Sequence, residues 1–178
     1  MLKKILSFGS IAGIVVGVPL IAIPIAMNGP PPASWGIVVG YLTMLIALSA
    51  VFVAVKRHRD IDLGGVIRFW PAFGLGLGIS LVASIFYVLA WEAALAYTGM
   101  DFAGDYAKLL IEQEKAKGVT ADALAQFVAG MEQFKTEYAN PAYRLPMTFT
   151  EIFPVGVLVS LITALLLRNS RFLPARVS

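Results

Sequence analysis

The sequence predicts an all-α integral membrane protein: a four-helix bundle with both termini on the cytoplasmic side (N-in/C-in) and an extracytoplasmic helical hairpin between the third and fourth spans. Three observations predict it. Four long apolar runs are separated by charged stretches, the charges flanking those runs are lopsided, and the interval before the last run has an amphipathic, helical pattern. The composition agrees: of 178 residues, 58% are hydrophobic and 14% charged, against about 25% charged in an ordinary soluble domain. The whole chain, 1–178, reads as a single membrane domain.

The runs are taken in order. Residues 5–27, 35–55 and 69–91 carry no charge, and the third resumes beyond Glu92 to Tyr97, giving a span over 69–97. The fourth covers 149–167 and has Glu151 near its start. A helix needs roughly 20 apolar residues to cross the hydrocarbon core. Backbone polar groups in lipid must be bonded within the segment, which favours helices. The runs do not alternate as barrel strands do. The first run is longer than a signal-peptide core and no clear cleavage site follows it, so an uncleaved helix is expected.

Charge sets the expected orientation. Lys3 and Lys4 precede the first run, Lys56, Arg57, Arg59 and Arg68 join the second to the third, and Arg168, Arg171 and Arg176 follow the fourth. These are nine of the 14 lysines and arginines, and the connection 28–34, with Pro30, Pro31 and Pro32, has none. Basic residues in short loops are retained in the cytoplasm, which places segment 98–147 outside. The net charge of +3 therefore reflects orientation and not a nucleic-acid partner. Trp35, Trp91 and Tyr97 fall at the outer interface and Trp70 at the inner one, as amphipathic rings do. The expected location is the cell (inner) membrane.

Segment 98–147 reads as two helices. One runs from Asp101 to Lys117 and stops at Gly118. The second begins at the N-cap Thr120 and ends near Tyr138, before Asn140-Pro141. Leu124, Phe127, Val128, Met131, Phe134 and Tyr138 recur in steps of three and four, marking one apolar face. The simpler expectation is that this face meets its own hairpin partner and the tops of the spans. The sharper one makes Phe127, Met131, Phe134 and Tyr138 a surface for an extracytoplasmic partner, because about 50 residues make a poor independent core.

Within the spans, Gly9, Gly13 and Gly17 form a small-residue stripe, as do Gly74 and Gly78 with Gly76 between them. Such stripes let helix backbones approach closely, within the chain or between copies. Pro19, Pro24 and Pro154 each remove a helical hydrogen bond, which in some transporters marks a hinge or ion site. Glu92 and Glu151 are carboxylates in apolar surroundings, a functional hypothesis by default. Should they meet, one would hold a proton near neutrality; the ordinary alternative is pairing with Arg144 or a lysine near water. In the basic loop, His58 is the chain's only histidine, and Asp60 with Asp62 makes no convincing metal cage. There is no cysteine, hence no disulfide or thiolate chemistry. No nucleophile-elbow, zincin or Walker pattern occurs, and no cofactor or metal is expected.

The order Lys56-Arg57-His58-Arg59-Asp60, Leu63-Gly64-Gly65-Val66-Ile67-Arg68-Phe69, Ala72-Phe73-Gly74, Ile85-Phe86-Tyr87, Trp91, Asp101-Phe102 and Tyr106 resembles a bacterial family known as domain of unknown function 4199. The similarity would cover nearly all of the chain. It implies a small multi-pass bacterial membrane protein and brings no catalytic residues with it. The leading expectation is a non-enzymatic interaction, accessory or structural protein. Its partners would be the lipid bilayer and either a second copy or a membrane or extracytoplasmic protein. The alternatives are a small transporter or channel, resting on Glu92, Glu151 and the prolines, and a membrane enzyme acting on lipid or envelope precursors.

Overall fold

A computed structural model describes residues 1–27 and 33–175. The Pro30–Pro32 connection and Arg176 lie outside the described residues. Those described form helices α1 (Leu2–Met27), α2 (Ala33–Arg57), α3 (Phe69–Thr98), α4 (Phe102–Ala116), α5 (Ala121–Tyr138) and α6 (Pro141–Leu167), with no strand among them. A π-helical turn, His58–Asp62, extends α2. Four of the helices, α1, α2, α3 and α6, are long and apolar enough to cross a membrane, which points to a membrane protein.

Helix α3 is the centre of the packing, with α1 on one side and α6 on another, while α2 touches all three. The α1–α3 seam is made by glycine. A methyl group on Gly9 would lie 2.6 Å from Val82 Cβ, one on Gly13 would strike the Cβ and ring of Phe86, and one on Gly17 would lie 3.1 Å from Ala90 Cβ. Without a hydrophobic drive between helices in lipid, such close backbone approach supplies the dispersion contact that holds them. The α3–α6 seam uses glycine and serine together. Ser80 Oγ donates to the Gly156 carbonyl at 3.2 Å and lies 3.2 Å from Ser160 Oγ, and Gly76 faces Ser160 across the same crossing. Aliphatic side chains, among them Leu48, Val51, Leu75, Ile79 and Ile152, fill the space between these seams.

The start of α1, the α2–α3 loop and the end of α6 meet at one end of the molecule. Arg59 is 0% exposed there. Its guanidinium donates to the carbonyls of Phe172 (2.9 Å) and Leu173 (2.5 Å), and its Nε donates to Asp60 Oδ1 at 2.6 Å. Its Nη1 also lies 3.5 Å from the carbonyl of Leu167, the last residue of α6, where a helix leaves its carbonyls unpaired and a cation is favoured. Lys4 pairs with Asp62, and Lys56 with Asp60. The two loop carboxylates are thus held by basic partners.

At the opposite end, α4 and α5 sit over α3. Asp101 caps α4 by accepting from the Gly104 N–H at 2.9 Å, and Thr120 caps α5 by accepting from the Ala123 N–H at 3.3 Å. Gly118 ends the first of these helices with φ +71°, a left-handed position that glycine takes without strain. Helix α6 begins at Pro141, ahead of the apolar run from which its start was expected. Asn140 caps it and Pro141 occupies its first turn, where a missing N–H costs nothing. The added turns carry Arg144.

Candidate functional site

Glu92 and Glu151 go to different partners. Glu92, at the α4–α5 end of α3, receives a two-pronged bond from Arg144: Nε to Oε1 at 2.6 Å and Nη2 to Oε2 at 2.6 Å. The planar fork of arginine matches a carboxylate in this geometry. Arg144 Nη1 also donates to the Tyr138 carbonyl at 3.1 Å, and the guanidinium lies 5.7 Å from the Tyr138 ring centre. Trp91 Nε1 donates to Tyr138 Oη at 2.7 Å. Four side chains from α3, α5 and α6 thereby fasten the α5–α6 corner to α3. Burial pushes the Tyr138 phenol up to about 12; the nearby Glu151 and Glu92 charges add to this, against the opposing pull of the Trp91 N–H and Arg144.

Among the described residues Glu151 has no basic partner. It accepts a bond from Tyr87 Oη at 3.1 Å and lines a cleft of about 530 Å³. All six helices contribute to that cleft: Pro19, Leu20 and Pro24 from α1, the first half of α2 with Trp35 and Tyr41, Tyr87 and Trp91 from α3, Asp105 and Tyr106 from α4, Tyr138 from α5 and Glu151 from α6. Among the described residues, no lysine, arginine or histidine lines it. Helix α1 stays continuous through Pro19 and Pro24, so the prolines serve as rigid wall and not as a break.

The aromatic residues at this end form one connected cluster. Trp91 meets Phe102 edge-on at 5.0 Å, Phe102 lies 5.9 Å from Tyr106 and 5.8 Å from Tyr138, and Phe134 lies 6.1 Å from Tyr106 and 5.4 Å from Tyr138. Tyr138 is buried, while Phe127, Met131 and Phe134 are half-buried. The apolar stripe of α5 therefore turns toward α4 at its Phe134 end. The α1 glycines Gly9, Gly13 and Gly17 are occupied against α3. Gly78 rests against Ile5, and nothing lies within 4 Å of the Cβ position of Gly74.

Two parts of this arrangement escaped the sequence. Tyr87 and Tyr41 gave no signal beyond being aromatic residues inside apolar runs. Gly156 and Ser160 do stand at small-residue spacing, which could have marked α6 as the partner of Ser80.

A family model described as "Protein of unknown function (DUF4199)" matches residues 7–169, and the chain belongs to that family. No curated protein and no solved structure matches it.

Proposed function

We propose that this member of the family is a four-span protein of the bacterial cell membrane that works by binding and not by catalysis, with the cleft as its binding site. In this reading both termini and the basic end face the cytoplasm, and α4 and α5 form an extracytoplasmic hairpin roofing the cleft. One observation carries the binding role: six helices converge on a concavity of about 530 Å³ that holds Glu151 and, among the described residues, no basic side chain. Ligand sites are concave, mostly apolar and furnished with a few placed polar groups, and an ionisable residue at membrane depth is functional by default. The orientation is supported by the charge bias of the loops and by the gathering of Lys4, Arg59 and the end of α6 at one end.

The absence of native cysteine makes the test simple. A membrane-impermeant maleimide should label Lys115→Cys in intact cells and Arg57→Cys only after permeabilisation; the reverse pattern would overturn the orientation. For binding, Gly40 lines the cleft with nothing within 4 Å of its Cβ position, so Gly40→Trp fills it without a clash at the backbone. Native mass spectrometry of protein released from micelles should show a retained small molecule or lipid that Gly40→Trp lacks. The same adduct on both proteins, or none on either, would count against the cleft.

A second reading, a small transporter, is favoured by the unpaired state of Glu151. It would gain ground if proteoliposomes moved a solute and Glu151→Gln stopped the flux while Glu92→Gln spared it.

A further inference from the structure

We infer that the cleft takes a singly charged organic cation, an alkyl- or arylammonium amphiphile, an assignment that rests on reading the cleft as a binding site. Three features of the lining select that chemistry. First, its acidic residues, Glu151 and Asp105, are unaccompanied by any basic residue in the wall. Asp105 has the exposed Lys108 at 3.4 Å, outside the wall, while among the described residues the only side-chain partner of Glu151 is the neutral Tyr87. Second, Trp35, Tyr41, Trp91 and Tyr106 join Tyr87 in the wall, and aromatic faces attract ammonium groups. Third, the space is of small-molecule size, and most of the remaining wall, with Val16, Leu20, Ile23 and Leu109 in it, is apolar, suited to the tail of an amphiphile.

An inorganic divalent ion is a poorer match. It asks for several oxygen ligands, and no group of three His, Cys, Asp or Glu side chains converges among the described residues. An ammonium group could come free in solution or on a lipid such as phosphatidylethanolamine. The lipid also brings a phosphate, and the wall has no cation to hold it, so the free monocation is the better complement.

The probe is benzyltrimethylammonium, compared with its uncharged carbon isostere, on the full chain in maltoside micelles. Trp35 and Trp91 line the cleft, while Trp70 stands at the other end, 74% exposed. With Trp70→Phe as background, quenching of the remaining indoles reports the cleft. The cation should bind about tenfold more tightly than the isostere. Glu151→Gln should bring the two together, and Gly40→Trp should remove both. Equal binding of cation and isostere by the parent protein overturns the ammonium assignment and leaves the binding role standing; binding of neither removes both. A preference that survives Glu151→Gln also overturns the assignment. Where circular dichroism shows that Glu151→Gln does not fold, Tyr41→Leu takes its place and should cut the preference for the cation. Phosphatidylethanolamine added to the micelles should leave cation affinity unchanged; competition would overturn the free-cation assignment in favour of the lipid head.

Discussion

Replacing Gly13 by alanine puts a methyl group into space that α3 already fills. The new carbon would lie 2.5 Å from Phe86 Cγ and closer still to its Cβ, where two carbons settle at about 3.5–4.0 Å. Rotating the ring gives no relief, because the Cβ is fixed to the backbone. Helix α1 must then back away from α3, loosening the neighbouring contacts of Gly9 and Gly17 as well. Overpacking of this kind costs about 1–3 kcal/mol, and alanine returns about 1 kcal/mol of helix propensity, for a net loss of up to about 2 kcal/mol. Gly74→Ala is the matched control. It sits in α3 with nothing within 4 Å of its Cβ position, so only the propensity gain of about 0.5–1 kcal/mol remains. Unfolding in mixed micelles by added dodecyl sulfate, followed by circular dichroism, should move the two midpoints in opposite directions. Equal midpoints would refute the glycine seam. A destabilised Gly74→Ala would instead show that this open face is covered by a second copy of the chain.

Three further outcomes follow from the two ends of the molecule. Arg144→Ala should cost about 1–2 kcal/mol, given a two-pronged but partly water-accessible pair, and a double-mutant cycle with Glu92→Gln should show most of that as coupling. Arg59→Ala should cost about 3 kcal/mol and release residues 168–175 to proteolysis; Arg59→Lys should restore little, because a single ammonium cannot serve the Phe172 and Leu173 carbonyls and Asp60 from one fork. Tyr138 titrates near 10 when unfolded and at about 12 when folded, so the folded state favours the protonated phenol. Its contribution is complete below pH 10 and falls by about 1.4 kcal/mol per pH unit as pH rises from 10 to 12. Tyr138→Phe should flatten that fall in a stability-against-pH series, and an unchanged slope would refute the burial of the phenol.

The spans were legible because each obeys one local rule, apolar length. Even there the start of α6 was not, since Pro141 looked like a terminator in a polar stretch. It acts as a first-turn residue, and the Asn140 cap that permits this is chemically the same as a turn signal. The α4–α5 boundaries were legible for the opposite reason: Asp101, Thr120 and Gly118 act on their own neighbours within a few residues. In the sequence Arg59 is one more charge in the basic stretch between the second and third runs. Its burial depends on α6 ending beside it, more than a hundred residues later, and no local pattern carries that information.

The two carboxylates mark where sequence reasoning reaches its limit and where function begins. Glu92 and Glu151 look equivalent in the chain: each is a lone acid at the edge of an apolar run. Arg144 lies only seven residues from Glu151 in sequence, which made it an equally natural partner for either. It sits about two turns from Glu151 on the same helix, beyond the reach of neighbouring turns, and its guanidinium is also committed to the Tyr138 carbonyl. That commitment directs the arginine toward α3 and onto Glu92. Glu151, deeper along α6, is left with Tyr87 alone among the described residues. One arginine thus divides a pair of similar acids into a fastening and a free carboxylate, and the cleft is where the second kind is exposed. Neutralising Arg144 should therefore loosen the roof of the cleft without supplying Glu151 with a new partner, whereas neutralising Glu151 should change what the cleft accepts and leave the roof in place.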